Sequence, residues 1–457
     1  MVRSFRGVLL LSVMVASVSC TSTKPPPRPL FVPVSPTFSV TTGTVVDASL
    51  ELPQGFAPTP GHPPLWLENG AEIAVAGSID GHTTVLGLGG PGWHQQRVLA
   101  AETGSDAAEP GTIVDLAVSP DGMTLATAVV PTGADRLDII LRDLIASSPG
   151  HPIAIFAGSY DSVSMSWLSL TSIAVALRAR PQPSPAQPGA ETPSSGEPPA
   201  AAPPRPSAGL QVVVVAGAGS VAPITLPGCQ MSTLSWSVHG IYAVGEGDSV
   251  APPVLIDRRH TTCREFPGRR PIQVLAWSAN EEGSFLYTQP TVGGVPSVFK
   301  YDIDHDRNTL IAVSTSAATF LANGAIIAVG NQELRERQAA SHPNDATIAQ
   351  IALIDPSQSE VDLKTLGFAT TPAMLARSSL TYTSETNRAA IESYSPAEPL
   401  PLRKILTYSV ASENAFQAAF GPARGVVELS WSPKGRWLAI EDGDASHSAV
   451  TVLTPPG

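Results

Sequence analysis

Charge is scarce in this chain. Of its 457 residues only 14% are Asp, Glu, Lys or Arg, and the acidic residues outnumber the basic ones 39 to 27, a formal net charge of −12. So little charge excludes a charge-patterned coiled coil and a disordered polyelectrolyte. A nucleic-acid surface needs clustered Lys and Arg to displace phosphate counterions. No long basic run occurs, so nucleic acid is not an expected partner. Cysteine is almost missing, with three residues, which rules out a disulfide-dense scaffold. After the first twenty residues no apolar run reaches the eighteen or so needed for a membrane-crossing helix. The signatures of ready-made chemistry are missing as well. There is no Gly-x-Ser-x-Gly elbow, no His-Glu-x-x-His and no Walker loop, so no catalytic residue, metal ligand or cofactor site is assigned.

What the chain has in quantity is 45 Pro and 38 Gly, set among abundant Val, Ala, Thr and Leu. Turn-formers punctuating β-favouring runs point to many short strands. The first twenty residues, "MVRSFRGVLLLSVMVASVSC", place Arg3 and Arg6 before a short apolar run and then small residues, the layout of a secretory signal. The ending "SVSC", followed by "TSTKPPPRP", resembles a bacterial lipoprotein signal. That resemblance implies that Cys20 becomes the lipid-modified first residue of the mature chain, although Ser17 stands where the family favours a branched apolar residue. The expected division is a lipoprotein-type signal over 1–20, a Pro-rich tether over 21–36 and a folded body over 37–457. The expected location is extracytoplasmic, held to the bacterial membrane or envelope by the acylated Cys20, with a secreted or periplasmic form as the alternative. Cys229 and Cys263 then remain as a candidate disulfide. Thiols outside the cytoplasm tend to pair, but pairing also needs close Cα atoms, so both states stay open.

The body repeats. "ELSWSPKGRWLAI" near the end has relatives at "LWLENGAEIAVAG", "LAVSPDGMTLATAV", "MSWLSLTSIAVAL", "LSWSVHGIYAVG", "LAWSANEEGSFLYT", "TFLANGAIIAVG" and "AMLARSSLTYTS". Their anchors recur mostly every 41 to 57 residues. Further strand-like runs follow each anchor, among them "LDIILRDL", "PVLIDR", "SVFKYDID", "NTLIAVS" and "VDLKTL". Four strands per unit at this period describe a propeller blade. The last unit lacks a fourth strand, while "FSVTTGTVV" (38–46) belongs to no complete unit. The expected fold is therefore all-β: an eight-bladed β-propeller closed by an N-terminal strand that completes the last blade. Seven blades is the alternative if the weak unit near Leu375 is absorbed elsewhere.

"SPDG" at 119–122 and "WSPKGRWLAI" at 431–440 resemble the repeat of TolB-like, WD-related propellers. The resemblance covers nearly all of the chain after the tether and implies architecture rather than activity. Trp66, Trp167, Trp236, Trp277 and Trp431 share one position in the repeat, so they are expected to fill the space between blades rather than to stack on a ligand. The stretch 178–208 holds ten prolines and is expected to be a disordered insertion between the second and third strands of the third blade.

"DIDHDRNTLIAV" starts like a calcium loop, with Asp302, Asp304 and Asp306 at alternate positions. Arg307 stands where that loop needs Gly and Val313 where it needs Glu, so it is read as a hairpin turn. His62, His82, His94, His239 and His305 are scattered singly, and the adjacent Glu281 and Glu282 give no reason to converge on a substrate.

Two functions fit. One is a non-catalytic binding or scaffold module for an envelope protein, peptide or cell-wall glycan, with loops between second and third strands and between blades as the binding mouth. The other is a propeller hydrolase or lyase with its site at the channel mouth. Contact with the membrane is expected through the lipid anchor only.

Overall fold

The computed structural model describes residues 38–456, apart from short connecting stretches of which 181–209, 331–346, 355–365 and 371–379 are the longest. The signal, Cys20 and the tether lie outside the described residues, as does nearly all of the Pro-rich insertion. Within the described residues the structure is made of strands.

Blade one is built from Ala57–Pro58 and Leu65–Leu67, which share the innermost position, then Glu72–Ile79, His82–Gly89 and Gln95–Ala101. Blade two runs Gly111–Val118, Thr124–Pro131, Arg136–Asp143 and His151–Ala157, and blade three Tyr160–Ser169, Ser172–Ala179, Leu210–Ala216 and Val221–Leu226. Blade four is Leu234–Trp236, Tyr242–Gly245, Val254–Asp257 and Thr262–Glu265, and blade five Gln273–Trp277, Ser284–Pro290, Pro296–Asp302 and Arg307–Val313. Blade six is Thr315–Phe320, Ile326–Gly330, Thr347–Ile354 and Leu366–Thr370, and blade seven Leu380–Thr383, Arg388–Ser395, Leu402–Ser409 and Asn414–Pro422. All pairs are antiparallel, and within these seven blades all but Ala57–Pro58 with Glu72–Ile79 join strands consecutive in the chain.

The expectation of an eight-bladed ring closed by one N-terminal strand is corrected. Seven blades are each built from their own run of chain. The eighth repeat supplies only Val426–Trp431, Leu438–Asp444 and His447–Thr454, and its sheet is completed from the other end of the chain by Val45–Glu51. Nor is 38–46 one strand. It divides at Gly43, whose φ of +88° is open to glycine at little cost. Ser39–Val40 pairs with Phe420 and Ala419 at the edge of blade seven, while Val45–Glu51 pairs with Thr454–Ala449. The N-terminal segment thus fastens two sheets.

The unit near Leu375 is also shifted. Its "LTYT" is the first strand of blade seven rather than the second, and Asn387, at φ +52°, makes the turn that glycine makes elsewhere. In blade six the fourth strand is Leu366–Thr370, beginning where the one expected at 361–366 ends.

The core lies between sheets, not within them. Side chains alternate across a strand, so each second strand serves two neighbours. Ile73 and Val75 pack with Leu50, Val450 and Val452 of the closing sheet, whereas Ala74 and Ala76 pack with Leu125 and Ile140 of blade two. The same division recurs from blade to blade, ending where Ile405 and Ala419 of blade seven meet Leu429, Leu438 and Ile440.

The tryptophans join these faces. Trp66 Nε1 donates to the Ser430 carbonyl at 3.1 Å, Trp167 Nε1 to the Ala117 carbonyl at 3.1 Å, and Trp277 Nε1 to the Ser235 hydroxyl at 2.9 Å. Each reaches the first strand of the preceding sheet, at the residue just before that sheet's own anchor position. The following serines organise the turn. Ser119, Ser237 and Ser432 are buried, their hydroxyls accept backbone N–H groups at the start of the second strand, and their carbonyls accept from Gly122, Gly240 and Gly435.

Candidate binding cleft between blades four and five

The first-to-second and third-to-fourth strand turns of every blade lie at one end of the sheets, and the remaining connections at the other. Blade four turns from its third to its fourth strand through "DRRHTT", and blade five through "DIDHDRN". The two hairpins share a local design. The Asp257 Oδ2 and His260 Nδ1 atoms are 2.7 Å apart, and the Asp302 Oδ2 and His305 Nδ1 atoms 2.8 Å apart. In each, the carboxylate also accepts the backbone N–H of the same histidine. An acidic side chain that bonds its own turn is the reason Asp suits this position.

Between these hairpins and the start of the second strand of blade four lies a cleft of about 280 Å³. Tyr242, Asp257, Arg259, His260, Thr262 and Arg264 line it with Asp304, over the apolar Leu255 and Ile303. The Tyr242 hydroxyl donates to Asp304 Oδ1 at 2.8 Å and accepts from the Arg259 guanidinium, which also lies over the Tyr242 ring at 4.8 Å. Arg264 Nη1 donates to Asp306 Oδ1 at 3.2 Å and its Nη2 to the Tyr301 hydroxyl at 3.4 Å, and that hydroxyl donates in turn to Asp306.

The titrations follow from these bonds. Burial would raise Asp257, but hydrogen bonds from His260 and Arg259 prevail and hold its carboxyl below the usual range. Tyr301 and Arg264 hold Asp306 low by hydrogen bonding. Burial, reinforced by the bond to a carboxylate, pushes both Tyr242 and Tyr301 up to about 12. At neutral pH the tyrosines are therefore donors and the two aspartates charged acceptors.

The calcium-like aspartates do not converge. Asp302 serves His305, Asp304 serves Tyr242, and Asp306 serves Tyr301 and Arg264. Among the described residues no group of three His, Cys, Asp or Glu side chains is arranged to hold a metal ion. Glu281 and Glu282 diverge: the first bonds Lys300 at 2.6 Å, the second the Ser237 hydroxyl of blade four. His82 lies 3.3 Å from Glu102 and His239 3.9 Å from Glu282; His94 lies outside the described residues. Cys263, on the fourth strand of blade four, is disulfide-bonded. The other two cysteines, Cys20 and Cys229, are outside the described residues.

At the joints between blades, carboxylates are engaged by the backbone. Asp115, on the first strand of blade two, accepts the N–H of Met165 on the first strand of blade three and the N–H of Leu116. Glu246 of blade four accepts the N–H of Val274 in blade five at 2.9 Å, and Glu102 that of Ile113 in blade two at 2.8 Å. Burial pushes Asp115 up to about 6 despite its amide bonds, and raises Glu246.

The sequence reading missed the cleft. It singled out the aspartates of blade five for another role and none of Tyr242, Asp257, Arg259, His260, Thr262 or Arg264. The Asp-x-x-His spacing common to 257–260 and 302–305 was the available signal. The cleft also lies at the end of the sheets opposite the loops expected to bind.

No protein-family model matches the chain, and no curated protein matches it. Solved structures do. An oligogalacturonate lyase from Vibrio parahaemolyticus aligns over 93% of this chain and 97% of its own, at 11% identity and a TM-score of 0.51. An oligogalacturonate lyase in complex with manganese aligns over the same shares at 11% identity and 0.50, and the C-terminal WD40 domain of Sif2 over 90% and 100% at 12% identity and 0.49. At such identity the likeness to the two lyase structures is one of fold alone, and the chain's own antiparallel four-stranded sheets make it a β-propeller.

Proposed function

We propose that this chain is a non-catalytic binding module of the bacterial envelope, exported, lipid-anchored through Cys20, and contacting its ligand at the cleft between blades four and five. One observation carries the reading. In the cleft the polar groups are held in place by one another while Arg259 and Arg264 remain about half exposed, the arrangement of a preorganised recognition surface. The carboxylates of Glu102, Asp115 and Glu246 at the blade joints accept backbone amides.

The hydrolase or lyase reading has one group in its favour, Asp115, whose carboxyl near 6 suits a general base. Its two oxygens, however, are taken by Leu116 and Met165, which weighs against that role. With Cys20 acylated, Cys229 is the natural partner of Cys263.

The test is affinity capture from solubilised membranes with the full chain, alongside metabolic labelling with a fatty acid. The reading requires label that disappears in Cys20→Ala, and a bound component that is lost in Arg259→Ala. Label retained in Cys20→Ala, or release of a processed product from the captured component, would overturn it.

A further inference from the structure

The two hairpins spend most of their acceptors within their own turns or across the joint between the blades, around a cleft lined by a mixed set of groups. Asp257 Oδ1 accepts the backbone N–H of Arg259 at 2.9 Å, and its Oδ2 faces His260. Among the described residues, Nη1 of Arg259, the Thr262 hydroxyl, Nε2 of His260 and Oδ2 of Asp304 make no hydrogen bond. These are two donors or more, an acceptor, and groups able to do both.

The charges of the lining balance. Arg259 and Arg264 stand against Asp257 and Asp304. A cleft with little net field gives a polyanion or a polycation no long-range advantage, since such a ligand would meet a like charge on one wall. It suits a neutral ligand whose groups both donate and accept. Leu255 and Ile303 add a small apolar floor, a match for the C–H face of a ring. At about 280 Å³ the space is near the lower end of small-molecule pockets, roughly 300–1,000 Å³, enough for one or two rings.

Resting on the binding-module reading above, we infer that the cleft takes a neutral saccharide. The hydroxyls accept from Arg259 and Thr262 and donate to Asp304, and the ring lies over Leu255 and Ile303. Because the lining side chains are already bonded to each other, ordering them on binding adds little entropic penalty.

The experiment uses the full chain, with calorimetry and saturation-transfer NMR. The probes are neutral trisaccharides of β-1,4-linked N-acetylglucosamine, β-1,4-linked glucose, α-1,4-linked glucose and β-1,4-linked mannose. Separate arms use a trigalacturonate and an acetylated tripeptide. A neutral trisaccharide is expected to bind with an affinity that changes less than about twofold between low and high salt, as befits an uncharged ligand. Thr262→Val and Asp304→Asn are each expected to weaken it about fivefold or more, the loss of one hydrogen bond. Neither should move the melting temperature, since Thr262 is exposed and the amide oxygen introduced by Asp304→Asn can still accept from Tyr242.

Failure of every neutral trisaccharide to bind overturns the inference. So does binding confined to trigalacturonate or the peptide with steep salt dependence, or saccharide binding that both variants leave unchanged. If membrane capture still yields a partner in those cases, only the ligand class has failed. If a probe is cleaved, the non-catalytic reading itself has failed.

Discussion

At the residue scale the repeated tryptophan answers to packing. Trp66 is 9% exposed, stands in the cluster joining blade one to the closing sheet, stacks on Trp437 at 6.2 Å and bonds Ser430. Trp66→Phe removes the indole bond and should lower stability by about 1 kcal/mol. Trp66→Ala opens a cavity at the same joint and should lower it by about 3–5 kcal/mol. Urea denaturation of the two variants measures both, and a ligand-stacking role would leave stability unmoved. Gly435 makes the complementary point. Its φ is +63° and an added Cβ would stand 2.6 Å from Thr386 Oγ1, so Gly435→Ala should lower stability by at least about 1 kcal/mol. The tryptophan positions were legible in the sequence because one large side chain recurred at one spacing. The cleft residues were not, because each is an ordinary turn residue in its own hairpin, and only packing of two blades makes them neighbours.

At the element scale the joint between blade seven and the closing sheet is unusually polar. Arg403, 2% exposed, lies 2.6 Å from Glu392 and 3.2 Å from Asp442, all three side chains buried. Removing one member of such a group leaves the others charged and uncompensated. Arg403→Met should therefore lower stability by roughly 3–5 kcal/mol, read from denaturant midpoints.

On the other face of Leu438–Asp444, Glu441 is fully buried, and among the described residues its carboxyl group has no hydrogen-bond partner. Burial first, and then the nearby Glu428 charge, hold its carboxyl well above the usual range. The folded state thus binds this proton more tightly than the unfolded chain does. Glu441 supports stability fully below its ordinary range near 4.5, and that support is lost as pH rises through the elevated folded value. Asp115 follows the same sign, its support fading between its ordinary 3.8 and about 6. Glu441→Gln should flatten the fall of melting temperature with rising pH. A profile identical to that of the unsubstituted chain would show that Glu441 is already ionised in the fold.

At the scale of the whole molecule, the strand pattern carried the architecture because period-2 runs between turn residues are local signals. Closure was harder to read. "FSVTTGTVV" looks like one strand, and only the positive φ at Gly43 and the presence of two waiting edges divide it between blade seven and the closing sheet. The count of self-contained blades turned on the same point, since the last repeat ends after three strands and borrows its fourth.

That borrowing yields a sharp test. Phe38 and Leu50 are buried at 0% and 1%, in the clusters on either side of the closing sheet. Without residues 1–52 the outer edge of His447–Thr454 is unpaired, and both clusters lose an anchor. An exposed apolar edge invites association with other chains. The truncated chain should melt at a markedly lower temperature and self-associate. A synthetic peptide spanning 38–52, added in excess, should restore a monomeric species by re-forming the Val45–Glu51 pairing, with stability that rises with peptide concentration. Substituting Leu50→Asp within that peptide should abolish the rescue, because the register that pairs Leu50 with Val450 would then force a charge between the closing sheet and blade one. A truncated chain that melts like the full one, or a rescue indifferent to Leu50, would mean that the ring holds without its ends joined.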